Sequence, residues 1–466
     1  MAVGRALDCQ VDFADTQGLR LCLCDAKGSN ARLRVDGIIG SILALGLHKR
    51  GVNVKVYEQA RTLREIGAGI AFTKNARKCM SLVDSRLLDC VACVATVNGD
   101  PANPNNNMQF LDGYTHLPGQ CVGEDLEGRK LYRLYGGPRG FEGCHRAHFL
   151  EKVMQLMPSG VVRFQRRLER IDQGNGGRLL LTFSDGSIEE ADAVIGCDGI
   201  KSRVRQLLFG PINPISYPHY THKIAYRGLV PMEKAIARLG LDRARTQHMY
   251  GGPGAHVLTF PVAKQTLMNI VAFVADPTDW PLSRAMAQPA TKAEVAAVFA
   301  DWGPTVRAIV DLLPDEMDKW GVFDHLDYPA PTYSISRVCL AGDAAHASSP
   351  HHGAGAGIGV EDTLALSVLL DGVARGVESG TVLDKAKALE AAFAAFSSVR
   401  HERSQWLVQS SREACDIYEW KHPDFGADMD RTHEEITRRS HRIWYFDIEG
   451  MLEQLEREYH GNMAIV

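Results

Sequence analysis

The chain has no long hydrophobic run. Its longest apolar stretch, Ile38 to Leu47, falls far short of the roughly 20 residues a helix needs to cross a bilayer, so no transmembrane segment is expected. It has no excess charge of one sign. The 52 Lys and Arg against 56 Asp and Glu leave a formal net charge of −4, which gives no electrostatic reason to expect nucleic acid or an anionic membrane as partner. Metal-type spacing is missing too. The 11 cysteines are odd in number and scattered, Cys22/Cys24 and Cys90/Cys93 lack a second ligand pair, and the 17 histidines show no HExxH-like pattern, so no metal is expected. Cys90 and Cys93 sit in an apolar helical pattern with Leu87, Leu88 and Val91 and read as buried free thiols. There is no internal repeat, no low-complexity segment and no charged-then-apolar opening segment. The cytosol is the expected compartment.

What is present is an ordinary globular composition. At 466 residues, 45% hydrophobic and 23% charged, the chain can bury a large core and form two or three structural units. Its most informative stretch runs from Gly342 to Asp362 (GDAAHASSPHHGAGAGIGVED). A short apolar strand, Arg337 to Ala341, precedes it, and an apolar helix, Thr363 to Leu370, follows. Asp343 can accept hydrogen bonds from a polyol. The backbone N–H groups between Gly353 and Gly359 can approach a ligand closely, at a helix N-terminus that favours negative charge.

Residues 1–30 read as an irregular extension. A βαβ unit follows: a strand near Leu33-Arg34-Val35, a turn from Asp36 to Gly40, a helix from Ser41 to Arg50 closed by Gly51, and a strand from Val52 to Tyr57 that ends at Glu58. Gly37 and Gly40 match the second and third glycines of a dinucleotide fingerprint, while Val35 stands in place of the first. Glu58 lies where such a unit places an acid on an adenosine ribose. The section from about 95 to 140 is rich in Asn, Pro and Gly and reads as loops, least ordered from Asn98 to Asn107. A helix from His148 to Met157, an alternating strand from Leu179 to Phe183 and a buried strand from Ala193 to Cys197 come next. From 212 to 330 short alternating strands dominate, such as Lys223 to Val230 and His256 to Val262, with one helical insertion from Lys292 to Trp302.

A second motif, Gly196-Cys197-Asp198-Gly199-Ile200-Lys201-Ser202-Arg203-Val204-Arg205, ends a buried strand in an acid and a glycine and opens a basic helix. Between the motifs lies Cys144-His145-Arg146-Ala147-His148-Phe149-Leu150. In this order the motifs resemble the single-component FAD-dependent aromatic hydroxylases, the family of salicylate and p-hydroxybenzoate hydroxylases, over residues 35–420. Asp198-Gly199 is similar to its DG motif and Gly342-Asp343 to its GD motif. The segments Gly67 to Thr73 and Ser349 to Gly353 resemble fungal members acting on polyketide or salicylate-type phenols. The resemblance implies an α/β fold: a Rossmann-like FAD-binding domain (31–95, 140–211 and 331–375) interleaved with a β-sheet substrate domain (96–139 and 212–330), then a C-terminal helical region (376–466). It implies Glu58 on the FAD ribose, Gly69 along the adenosine–pyrophosphate side, Arg146 between the two halves of FAD, Asp343 on the ribityl chain or pyrophosphate, and Ala356 meeting the isoalloxazine. Asp198 would lie near NADPH and the pyrophosphate.

The family reaction uses NADPH or NADH to reduce the flavin and O2 to form a C4a-hydroperoxide, whose oxygen passes to an electron-rich ring. The protein must then exclude water and favour a phenolate. The candidate residues for activating the ring lie on one strand. Strand alternation points Tyr226, Ile224 and His222 to one face and Arg227, Ala225 and Lys223 to the other. Arg227 is expected to anchor a phenolate or carboxylate, with His222 or Tyr226 relaying a proton, and one of the two faces must be structural. Tyr250, His256 and Phe260-Pro261 are candidates for the pocket lining. The expected enzyme is a monomer or homodimer acting on a small aromatic substrate, with a place in secondary metabolism. Two alternatives stand beside it: an epoxidase of an apolar terpenoid, and a flavin-deficient, non-catalytic homologue motivated by Val35.

Overall fold

A six-stranded sheet carries the first half of the architecture. The computed structural model of the chain describes residues 19–25, 37–60, 69–114, 130–137, 142–281 and 285–465. The strand Arg20–Asp25 lies between Ala193–Gly196 and Asn53–Glu58 and runs parallel to both. Val162–Arg163 extends one side and Val338–Leu340 the other, again in parallel, and Ser334–Ile335 closes an edge antiparallel. The central strands are short unbroken apolar runs rather than alternating ones. Leu21, Cys22, Leu23, Cys24, Ala193, Val194 and Ile195 are all buried, as a parallel sheet covered on both faces requires.

The first strand corrects the sequence reading. It falls within the stretch expected to be an irregular extension, and the expected strand at Leu33 to Val35 lies outside the described residues. Six residues with apolar positions on both faces carry no period-2 signal, so the pattern gave nothing to find. The region from Asn98 to Asn107 is also built differently from the expected loops. Gly99–Asp100 pairs with Asn103–Pro104 as a small hairpin, and the buried Asn98 side chain ties it down by accepting from Gln247 N–H at 2.6 Å and donating to Asn105 O at 2.8 Å. Cys90 is buried as expected, but Cys93 is exposed. The expected insertion from Lys292 to Trp302 is the shorter helix Lys292–Val298, and the region holds further helices beyond that one, Met232–Leu239, Leu241–Arg245 and Pro304–Asp311.

The second sheet has eight strands in the order Ala287–Thr291, Glu316–Asp324, His219–Pro231, Leu267–Ala275, Ala255–Val262, His248–Gly252, Asn107–Asp112 and Lys130–Tyr135. One face packs on helices through Ile224, Tyr226, Val257, Ile270, Ile309 and Leu313. The other face looks toward the parallel sheet and the C-terminal helices Lys385–Tyr418 and Met429–Trp444, with Met108, Phe110, Met249, Ile417 and Trp444 in one cluster.

The helix Gly355–Glu378 crosses the first core carrying two acids, Glu361 and Asp362, that are fully buried. The helix Lys385–Tyr418 supplies their partners. Arg400 reaches Glu361 at 2.8 Å and Asp362 at 2.9 Å, and Arg403 reaches Glu361 at 2.8 Å. Asp362 also accepts from His346 Nε2 at 2.6 Å and from the Gly342 backbone N–H at 3.0 Å. Burial by itself would raise the Asp362 pKa, but His346 and Arg400 hold it below the ordinary carboxylate value. Removing one partner of a buried pair strands the other charge. Arg400→Ala is therefore expected to cost about 3–5 kcal/mol, measured from denaturant midpoints against the parent chain.

Candidate active site

A cavity of about 430 Å³ opens at the carboxyl ends of the parallel strands, where the second sheet and the C-terminal helices meet them. Ile38, Ile39, Cys197, Gly199 and Asp343 line it from the parallel sheet. The second sheet contributes Arg227, His256, Leu258, Phe260, Val271 and Phe273, and the helices contribute Tyr418, Ile443 and Trp444. Open α/β sheets bind ligands at this end, because strand-to-helix turns present backbone N–H groups there.

Of the residues singled out for a cofactor, Gly69, Arg146, Asp343 and Ala356 line the cavity. Asp343 is exposed to it and follows Gly342, whose φ of +60° favours glycine. Arg146 opens the helix Arg146–Gln155. Gly69 pairs with His145 in a two-stranded ribbon, and a Cβ there would stand 2.6 Å from the Phe260 ring, so the glycine lets the ribbon approach the second sheet. Gly37 caps the helix Ile38–Lys49 and accepts from Ser41 N–H at 2.7 Å, while Gly40 is buried in its first turn. Neither lines the cavity, although Ile38 and Ile39 between them do. Glu58 is buried at the carboxyl end of its strand, where it accepts from Ala60 N–H at 2.7 Å.

Asp198 does not itself line the cavity. It is fully buried and accepts from Ser202 Oγ, from Arg203 N–H at 2.6 Å and from Val204 N–H at 3.0 Å. Its carboxyl group thus serves the start of the helix Arg203–Phe209, and only its neighbours Cys197 and Gly199 reach the cavity. Burial pushes its pKa up to about 6 against those hydrogen bonds.

The donor set suits FAD. The helices Ile38–Lys49 and Gly355–Glu378 both begin at the cavity, and neither has a side-chain cap or an acid in its first turn. Two such N-termini offer free N–H groups and positive dipole ends to a pyrophosphate and to an electron-rich ring edge. Asp343 stands between them for hydroxyl groups.

The strand His219–Pro231 separates the three candidate catalytic residues. Arg227 faces the cavity. Tyr226 points the other way, into the core with Ile224 and Leu313, so its hydroxyl is not available to a substrate in the cavity. His222 is exposed, with φ +57°, where the register with Glu316–Asp324 shifts between Tyr220 and Ile224. The bulge breaks the regular alternation assumed from sequence and turns His222 away from the site. Tyr250 is also outside the lining, fully buried in the helix-side core, whereas His256, Phe260 and Pro261 line the cavity.

The sequence reading missed a charged group beside the cavity. Glu419 follows the helix Lys385–Tyr418 and is fully buried. It takes the Lys223 ammonium on one oxygen and lies 3.3 Å from His256 Nδ1 with the other, while Lys223 also reaches Asp416 at 3.2 Å. His256, Cys415 and Glu419 lie close enough together to suggest a metal site, but the Lys223 ammonium already supplies the cation. Burial would raise the Glu419 pKa; His256 and Lys223 outweigh it and hold the carboxyl at about 2. No motif marks this group, because residues 223, 256 and 419 meet only in the folded chain.

The FAD binding domain family matches residues 149–396, more than half of the chain's 466. The FAD-dependent monooxygenase eupB of Phoma sp is 48% identical over 430 residues, covering 90% of this chain and 95% of that protein. Salicylate hydroxylase asL1 of Sarocladium schorii is 46% identical over 91% of this chain and 89% of its own. Among solved structures, a salicylate hydroxylase substrate complex superposes with a TM-score of 0.77 at 29% identity, covering 94% of this chain and 98% of that one. The chain belongs to the FAD-dependent monooxygenases, an enzyme family whose cofactor the cavity's donor set fits. No helix among the described residues is long and apolar enough to cross a membrane.

Two outcomes follow from this geometry. Gly69→Ala should displace Phe260 and lower the bound flavin, read as the ratio of flavin to protein absorbance in purified enzyme. Glu419 is depressed in the folded state, so its contribution to stability is complete above its ordinary value of 4.5 and is lost as pH falls toward about 2. Glu419→Gln should therefore flatten the acid side of the stability–pH curve over that window, measured by urea unfolding at several pH values.

Proposed function

We propose that this monooxygenase uses NADPH or NADH and O2 to hydroxylate an electron-rich phenol of the salicylate or polyketide type, as a cytosolic enzyme of secondary metabolism. The observation that carries the reading is the state of Arg227. It is partly buried at the cavity wall, makes no ion pair among the described residues, and leaves its Nε without a hydrogen-bond partner. Its strand neighbours on that wall are apolar: Val271 is opposite it, and Leu258 is opposite Val271. Burial lowers the pKa of the guanidinium, a cost that an anion brought into the cavity would offset. A phenolate or carboxylate supplies that anion through charge-assisted hydrogen bonds.

Holding the ionised form lowers the phenol pKa and makes the ring carbons more nucleophilic. FAD, when bound, supplies the electrophilic oxygen after reduction and reaction with O2. The chain's own task is to orient the ring, keep it ionised and exclude water, and the wall of Leu258, Phe260, Val271 and Phe273 suits that task. The names of the salicylate hydroxylase relative and of the salicylate hydroxylase structure support the phenolic substrate class. An apolar terpenoid would have no use for the unpaired Arg227. Arg227→Ala should weaken binding of a phenolic acid about tenfold or more and divert NADPH oxidation to hydrogen peroxide, with Arg227→Lys intermediate. Product formed per NADPH consumed measures this, and unchanged coupling with unchanged affinity would sink the assignment.

A further inference from the structure

The short helix Asp343–His346 carries the acid that faces the cavity, and three other elements hold its backbone. Asp362 takes the Gly342 N–H at 3.0 Å just ahead of it. Arg205, fully buried in the helix Arg203–Phe209, donates to Ala344 O at 3.0 Å and to Ala345 O at 2.9 Å. The third holder is His325, which follows the strand Glu316–Asp324 and is also fully buried. Its backbone N–H donates to Ala347 O at 3.0 Å, and its ring Nδ1 accepts the Ala347 N–H at 3.3 Å. Main chain and side chain of one residue clasp both backbone polar groups of Ala347. From Ala347 the chain runs on into Ser348, Ser349, Pro350 and His351, which line the cavity. Asp324, next to the clasp, pairs with Arg412 of the helix Lys385–Tyr418. One strand end therefore ties the turn and the C-terminal helices to the sheet that carries Arg227.

The clasp works with one form of the ring only. An Nδ1 that accepts from an N–H carries a lone pair, so the imidazole is neutral with its proton on Nε2. A second proton has to enter at Nδ1, where it would face the Ala347 N–H donor to donor. The charged and titratable groups around the ring are Arg205, His346 and His219, while Asp324 and Asp327 on its own segment are both engaged by Arg412. Burial first, then Arg205, His346 and His219, lower the His325 pKa well below the ordinary 6.5, against the Ile200 carbonyl. We propose that His325 is a positioning residue for the cofactor: it clasps Ala347 through a neutral Nδ1 and so holds the turn that presents Asp343 in the form that FAD binds. A histidine depressed in this way keeps the clasp complete above 6.5 and loses it as pH falls below that value. The assignment needs only the flavin of the family and stands independently of the phenolic substrate.

The test follows release of FAD from diluted holoenzyme by the recovery of flavin fluorescence, from about pH 8 to about pH 5. The parent enzyme should hold flavin tightly at the upper end and release it increasingly below the histidine value. His325→Asn offers an amide oxygen near the position of Nδ1 and cannot gain a proton there. It should hold flavin about as tightly as the parent at the upper end and show a shallower fall toward acid. His325→Leu fills the space without an acceptor and should weaken flavin binding about tenfold even at the upper end. Retention in the Asn chain beside loss in the Leu chain is a rescue that packing alone would not produce. If the Asn and Leu chains release flavin alike, or if the parent and Asn chains share one pH slope, the positioning role is overturned.

Discussion

The buried ion cluster of Glu361, Asp362, Arg400 and Arg403 is the constraint on which the rest of the site depends. A glycine-rich turn can meet a cofactor only if something holds it still, and glycines supply no side-chain packing of their own. The two acids that end the turn solve this from behind. They enter the core only because two arginines of the next long helix neutralise them at 2.8–2.9 Å. Once there, Asp362 binds His346 and the Gly342 N–H. One set of charges therefore buries the helix, docks the C-terminal region on it, and fixes the turn that presents Asp343.

The cavity in front of this cluster is assembled from chain segments remote in sequence, and its two sides are built on different electrostatic terms. Around Ile38 and Ala356 the positive features are backbone ones, two helix N-termini without side-chain caps that cost no side-chain desolvation. On the second-sheet wall they are side chains of a single strand, His219–Pro231. Lys223 pairs with Glu419 and Asp416, while Arg227 makes no ion pair among the described residues. A half-buried cation whose nearest compensation is the Trp320 ring, 5.9 Å from the guanidinium, is expensive for the protein alone, and an anionic ligand would offset that expense. The bulge at His222 is part of the same arrangement, because it ends regular pairing with the neighbouring strand just before Lys223.

Part of the cavity wall was legible in the chain. Asp343, Arg146, Gly69 and Ala356 carry local signatures, a turn or a helix start next to a short apolar strand, and all four line the cavity. Asp198 shows the limit of such reading. Its motif is real, but three nearby donors claim its carboxyl group, and no pattern of residue types says which way an acid in a turn will point. The first strand was missed for the opposite reason, since Arg20–Asp25 is apolar on both faces and too short to show a period.

The sequence by itself determined the class of fold, the turns around Asp343 and Ala356 that line the cavity and the strand that carries Arg227, because each of these is written in residues close together along the chain. Tertiary structure alone decided which side of that strand faces the cavity. It sent Tyr226 into the helix-packed core, turned His222 out at a bulge, and left Arg227 facing the cavity. It also brought Glu419 to His256 and Lys223, a contact across 163 and 196 positions of chain. Charge compensation depends on distance in space rather than on spacing in sequence, so only the folded chain decides which cation has a partner and which is left for a ligand.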